Sequence, residues 1–140
     1  MLRSLFYVSR CELNPYRADA EVREIVRLSS LRNSLDEISG ALVFNGLHFA
    51  QYVEGAPSAI ESLMRRIGDD RRHSHIDTVF DEEVDVRHFT SWDMVYAGPS
   101  SLVGGMVLEL AERLYDDPEP VRVSSARLVV HSMRELPLAA

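Results

Sequence analysis

The sequence has little of what marks secreted, membrane-spanning or nucleic-acid-binding proteins. Its 140 residues include one cysteine, Cys11, so no internal disulfide can form. It has no lysine and no basic run, and 22 acidic residues against 15 arginines give a net charge of −7. Because binding to a phosphate backbone requires clustered positive charge, we expect no nucleic-acid partner. No apolar run approaches the ~20 residues that span a bilayer, and no signal-peptide pattern is present. We therefore expect a cytoplasmic protein that does not contact a membrane.

Several motifs that mark enzymes are also missing. There is no Gly-rich phosphate loop, no HExxH zinc motif and no GxSxG hydrolase motif. His73 and His75 are two residues apart and lack further ligands at suitable spacing, so we predict no metal site. Cys11 has no neighbouring base and is expected in a loop, so we do not expect it to be a nucleophile.

An apolar content of 46% is enough for one hydrophobic core. A chain of this length is expected to form about one domain and to bury on the order of two-thirds of its unfolded surface.

The first 97 residues carry an alternating pattern of strands and helices. Residues 2–9 are typical of a buried strand, and Asp19 is the predicted N-cap of a first helix. Asn45-Gly46 separates two strand patterns and favours a tight hairpin turn with two positive φ angles. Together with the later elements, the order β-α-β-β-α-β-β predicts a ferredoxin-like α/β fold with two helices on one face of the sheet.

The second half of that pattern begins with a helix. Ser58 and Glu61 form a predicted capping box for it. Alternation then predicts strands at residues 76–80 and 91–96.

Residues 98–140 differ in composition and are interpreted as a helical C-terminal extension to a domain of residues 1–97. One amphipathic helix is predicted over residues 102–114 and another over 124–136, with Leu128 and Val129 on its apolar side. The first helix could pack back on the sheet or form a dimer contact, and we favour a homodimer. Because the extension is too short for an effector domain, we expect signals to pass through contacts with other chains.

Two polar side chains, Gln51 and Tyr7, fall at strand positions that the alternation predicts to face the interior. Gln51 shares a face with Phe49 and Val53, and Tyr7 shares a face with Leu5. A buried amide without partners costs about 1–3 kcal/mol, so we expect Gln51 to bond either to neighbouring backbone or water, or to a ligand. Tyr7 could reach Gln51 if the first and third strands are neighbours. It could equally be a core tyrosine whose hydroxyl reaches the surface.

Further polar residues converge on the same region. Ser29, Arg32 and Asn33 continue the inward stripe of the first helix, or form only a polar helix end. Arg72 and His73 follow the second helix and could hold a phosphate, or lie in a solvated loop. An apolar cleft with a few convergent polar groups is typical of a small-molecule site.

The sequence resembles the BLUF family, the bacterial blue-light sensors that use FAD, over about residues 3–97. Five segments in the same order carry the resemblance: SSLRN at 29–33, ISGAL at 38–42, HFAQYVEG at 48–55, DRRH at 70–73 and FTSWDM at 89–94. Ser39 stands where threonine is more usual in the family.

The resemblance implies that FAD lies between the two helices and that Tyr7 hydrogen-bonds Gln51, which contacts the flavin N5 and O4. It places Asn33 at the flavin O4 and N3 edge. It also places Ser29 and Arg32 near the flavin ring or its side chain, and Arg72 and His73 near the ribityl and phosphate groups. On strand five, the resemblance implies that Trp92 and Met94 form a switchable pair.

The mechanism implied is photochemical and not enzymatic. Tyr7 would donate an electron and a proton, and a rotated or tautomerised Gln51 amide would shift the flavin spectrum to the red. The altered hydrogen bonds would then signal through strand five to a partner protein. Two alternatives remain: a small phosphoryl-binding hydrolase of the acylphosphatase type, and a flavin-free interaction module in which Tyr7 and Gln51 satisfy each other.

Overall fold

The computed structural model describes residues 1–90, 96–97 and 101–135, and at 96–97 it describes the backbone only. The elements in chain order are β1 (Leu2–Cys11), α1 (Ala18–Leu35), β2 (Ser39–Phe44), β3 (His48–Gly55), α2 (Pro57–Asp69), β4 (His73–Val84), β5 (Tyr96–Ala97), α3 (Leu102–Arg113) and α4 (Glu119–Arg134). The predicted ferredoxin-like order of strands and helices is confirmed. No helix in the described ranges combines the length and the apolar content needed to cross a membrane.

The strands form one sheet in the order β4-β1-β3-β2-β5. β1 pairs antiparallel with both β3 and β4, β2 pairs antiparallel with β3, and β5 runs parallel to β2. The register of β1 against β3 sets Tyr7 directly opposite Gln51. Residues that lie directly opposite one another on paired strands project to the same face of the sheet, so these two side chains share one face.

Both faces of the sheet are covered. On the face that carries Tyr7 and Gln51, α2 packs through Ile60 and Leu63, and α1 packs through Val22. On the reverse face, α3 and α4 pack through Val107 and Val129 in one core with the strand residues that project to that face, among them Phe6, Val43, Ala50 and Tyr52. Of the two predicted roles of the first C-terminal helix, the structure therefore shows packing back on the sheet.

The predicted helix starts were wrong in detail. α1 begins at Ala18 with Arg17 in the N-cap position, so Asp19 lies in the first turn, where its negative charge suits the helix dipole. α2 begins at Pro57, whose fixed φ suits a first helical position, and Ala56 stands in the N-cap position. Ser58 therefore lies inside the helix and makes no capping hydrogen bond.

The hairpin between β2 and β3 exists, but its turn differs from the prediction. Gly46 has a φ of 94°, whereas Asn45 does not have a positive φ. Instead the Asn45 side-chain oxygen accepts hydrogen bonds from the backbone N–H groups of Leu47 (2.9 Å) and His48 (2.7 Å). A side chain that bonds its own turn removes the need for a second left-handed residue.

Three further boundaries were wrong. Cys11 is the last residue of β1 and does not lie in a loop, and β4 extends over His73–Val84 because it pairs along the length of β1. α4 begins at Glu119, not at residue 124, and Leu128 is 61% exposed. The predicted strand at residues 91–96 lies outside the described residues except at Tyr96, which belongs to β5.

Candidate functional site

A cleft opens between α1 and α2 over the sheet. Its volume is about 540 Å³ when the part open to solvent is included. Its walls are apolar where Ile25, Leu42, Phe49, Leu63 and Ile67 line it. Its polar lining consists of Tyr7, Ser29, Asn33, Gln51, Asp70, Arg72 and His73. Such a concave apolar site with a few polar groups is suited to a small molecule.

Two of these polar residues form a buried hydrogen-bonded pair at the sheet. The Tyr7 hydroxyl donates to Gln51 Oε1 at 2.5 Å, and the two residues are 3% and 5% exposed. Burial raises the pKa of the Tyr7 phenol, and the negative charge of Asp70 raises it further. Tyr7 therefore holds its proton at neutral pH, and its hydroxyl donates that proton in the bond to Gln51.

Asn33 provides a second polar group, from the last turn of α1. It is 2% exposed, and its Nδ2 has no hydrogen-bond partner among the described residues. A buried donor left unpaired costs about 1–3 kcal/mol, so a ligand with a carbonyl oxygen at this point would relieve that cost. A planar ring with carbonyl groups along one edge, such as a flavin, fits this requirement.

Arg72 lies at the mouth of the cleft in a close ion pair. Its Nε lies 2.9 Å from Asp70 Oδ1, and its Nη2 lies 2.6 Å from Asp70 Oδ2. These bonds to Arg72 hold the pKa of the Asp70 carboxyl below its usual range. An anionic group at the mouth would therefore compete with Asp70 for the same guanidinium. Sequence reasoning missed Asp70, although its spacing of two from Arg72 in the DRRH segment was visible.

His73 borders the cleft with both ring nitrogens already engaged. Nε2 lies 2.8 Å from the carbonyl oxygen of Ile67, and Nδ1 lies 2.7 Å from Ser9 Oγ. Because the carbonyl can only accept, Nε2 carries a proton, and in the neutral ring Nδ1 accepts from Ser9. His73 thus joins β4 to α2 and to β1, and the surface it offers to the cleft is its ring.

Ser29 and Arg32 lie on α1 where the cleft continues toward solvent. This shallower extension is bordered by Ser29, Arg32, Asn33, Arg66, Asp69 and Arg72. The structure therefore brings six predicted site residues, all but Arg32, to the cleft itself, and Arg32 to its extension. Trp92 and Met94 lie outside the described residues.

Comparison with known proteins identifies the class of domain that carries this site. The family model described as "Sensors of blue-light using FAD", the BLUF family, matches residues 2–95. The chain therefore belongs to the BLUF family, a family of flavin-binding blue-light sensors. This result does not favour the acylphosphatase-like and flavin-free alternatives.

Individual relatives agree with this family. The blue light- and temperature-regulated antirepressor BluF of Escherichia coli (strain K12) is 30% identical over 89 residues, which are 64% of this chain and 22% of that protein. The dark-state structure of BlrB, a BLUF protein, is 35% identical and covers 94% of this chain and 96% of its own, with a TM-score of 0.74. Klebsiella pneumoniae BlrP1 with FMN and cyclic diGMP is 33% identical, with a TM-score of 0.62 over 70% of this chain and 26% of that chain.

Proposed function

We propose that this protein is a blue-light photoreceptor that binds FAD in the cleft between α1 and α2. The observation that carries the proposal is the Tyr7–Gln51 hydrogen bond beside the unpaired donor of Asn33. When bound, the flavin supplies absorption of blue light and an excited state that accepts an electron. All other parts of the mechanism belong to side chains of this chain.

Binding uses the two ends of the cleft. Asn33 Nδ2 is placed to donate to a ring carbonyl, and the apolar walls exclude water from the ring. At the mouth, Arg72 and Arg32 supply positive charge for phosphate groups, and Ser29 supplies a hydroxyl. His73 contributes ring surface between these two regions.

The photochemical step uses the Tyr7–Gln51 pair. Tyr7 is the proposed electron donor, and its hydroxyl proton has a direct path to Gln51 Oε1 over 2.5 Å. A carboxamide can relay this proton because it accepts at its oxygen and donates at its nitrogen. After both the electron and the proton return to Tyr7, a rotated or tautomerised Gln51 would present a different hydrogen-bonding group to the cleft. This rearrangement is the proposed switch, and Trp92 and Met94 are the residues that we propose respond to it.

The choice of FAD follows the family description. Because the BlrP1 structure is described with FMN, the bound flavin is best identified directly. Acid release followed by chromatography distinguishes FAD, FMN and riboflavin. Recovery of FMN alone from cells would refute the choice of FAD while leaving the sensor function intact.

Output is proposed to pass through protein contacts in the cytoplasm and to involve no enzymatic activity of this chain. α3 and α4 cover the face of the sheet opposite the flavin cleft, so we assign them to signal output and residues 1–97 to light sensing. The antirepressor BluF suggests that the partner is another protein. A homodimer remains our proposed assembly, and light scattering in the dark and under blue light tests it.

The central experiment is a light-minus-dark absorption spectrum of the purified protein. We expect flavin bands that shift to the red under blue light and recover in the dark. Tyr7→Phe is expected to bind flavin normally and to lose the shift, and Gln51→Leu is expected to lose the normal shift. A full shift in Tyr7→Phe would remove Tyr7 from the donor role, and a full shift in Gln51→Leu would refute the amide switch.

A further inference from the structure

Glu54 forms a second buried polar centre, on the face of the sheet opposite the Tyr7–Gln51 pair. The residue is fully buried, at 0% exposure, and lies three positions after Gln51 on β3. Its carboxylate accepts hydrogen bonds from Ser39 Oγ (2.9 Å) and Tyr52 OH (2.9 Å). It also accepts from two backbone groups beyond β4, the N–H of His88 (2.8 Å) and the N–H of Phe89 (2.9 Å).

Arg87 binds to the same place from the surface. Its Nη1 donates to Ser39 Oγ at 2.8 Å and to the backbone oxygen of Glu54 at 3.3 Å. Its Nη2 donates to the backbone oxygen of Glu37 at 2.7 Å. We call Glu54, Ser39, Tyr52 and Arg87 the Glu54 clasp. The clasp joins residues 87–89 to the start of β2 and the end of β3.

The buried carboxylate of Glu54 needs more hydrogen-bond partners than an apolar side chain would need to fill the same place in the core. Removing a carboxylate from water is costly unless every acceptor is satisfied, and the geometry that satisfies it is narrow. Burial, together with the charge of Glu54, raises the pKa of the Tyr52 phenol, so its hydroxyl remains a donor to Glu54. An apolar residue at position 54 would pack without such demands. The carboxylate instead holds the backbone at 88 and 89 in a defined position.

Residues 88 and 89 lie in the chain between β4 and β5. Phe89 is 9% exposed, and its ring lies against Tyr52 with centroids 5.5 Å apart. Further along the chain, Tyr96 and Ala97 of β5 pair with Leu42 and Val43 of β2. In the sequence, Trp92 and Met94 therefore lie between the clasp and β5.

We propose that Glu54 is a positioning residue for signal transmission: it fixes the backbone of residues 88 and 89 and thereby sets the rate at which the light-switched state of the Tyr7–Gln51 pair returns to the dark state. The inference rests on the proposed function, because it assigns Glu54 a part in the same switch. Glu54 does not line the cleft and projects from the face of β3 opposite to Gln51, so its effect is exerted through the backbone of residues 88 and 89.

Glu54→Gln tests this inference with little change in shape. Its carbonyl oxygen can still face the N–H groups of His88 and Phe89, while its NH₂ group faces Tyr52, whose hydroxyl can turn to accept. We expect an unchanged dark spectrum and an unchanged light-induced shift, since the cleft is intact. We expect dark recovery to accelerate about tenfold, because the loss of charge weakens the bonds that hold the backbone of residues 88 and 89. In the flavin-free chain, the amides of residues 88 and 89 should exchange with solvent faster.

Arg87→Gln is the second variant, because Arg87 is exposed and its loss does not disturb the core. It should also accelerate recovery. Arg65→Gln, which removes an exposed arginine that pairs with Glu61 on α2, should not. If both clasp variants melt at lower temperature yet recover at the wild-type rate, the inference is overturned and the clasp is only structural. If the wild-type protein itself shows no light-induced shift, the proposed function fails and the inference fails with it.

Discussion

Asn33→Ala should weaken flavin binding without destabilising the flavin-free chain. The Nδ2 of Asn33 is buried in the cleft without a partner among the described residues. A hydrogen bond to a ring carbonyl would recover the cost of that unpaired donor, about 1–3 kcal/mol. Since each 1.4 kcal/mol is a factor of ten in affinity, the variant should bind FAD about 5- to 150-fold more weakly.

The flavin-free chain should respond differently. Truncation removes the unpaired donor, and alanine is the better helix former by about 0.5 kcal/mol in α1. The melting temperature of the flavin-free variant should therefore stay within about 3 °C of the wild type or rise.

Fluorescence titration with FAD and thermal unfolding measure the two effects. Asn14→Ala is the matched control, because Asn14 lies in the exposed loop before α1, where its side chain accepts a hydrogen bond from the Tyr16 N–H. Affinity within twofold of the wild type would show that Asn33 does not bind the flavin. A fall of many degrees in the flavin-free melting temperature would show that its donor is already satisfied by protein.

Three other predictions follow from single contacts. The amplitude of the red shift should stay constant as the pH rises to 10, because the pKa of Tyr7 lies above its ordinary value of about 10; half-loss near that value would refute this. Arg72→Gln should weaken binding of FAD about tenfold and leave riboflavin binding unchanged, since only FAD has phosphates to replace Asp70; equal loss for both would place Arg72 away from the phosphates. Gly40→Ala should lower the free energy of unfolding by about 3 kcal/mol or prevent folding, because its φ is 155° and a Cβ there would lie 1.9 Å from the Tyr52 carbonyl oxygen. In chemical denaturation, Gly68→Ala on α2, which has open space around it, should instead be neutral or stabilising, and similar curves for the two variants would contradict the argument.

Local patterns predicted the elements well and their ends less well. Strand alternation correctly separated the two faces of β3, because the period of two leaves no freedom once one face is buried. The N-cap predictions at Asp19 and Ser58 failed because several residues near a helix start suit its first turn, and sequence alone does not select the first helical residue. The hairpin turn failed in detail because Asn45 could serve either through its own φ or through its side chain.

The amino-acid sequence by itself determined the order of strands and helices, the face on which Gln51 lies and, through its five motifs, the family. Each of these depends on residue types and on spacing along the chain. Only the tertiary structure decided that Tyr7 and Gln51 meet at 2.5 Å, that Asp70 holds Arg72 and that Glu54 binds the backbone at 88 and 89. Most of these contacts depend on strand register and on packing between distant segments. The remaining one, between Asp70 and Arg72, depends on which of several nearby charged side chains Arg72 faces once the chain is folded.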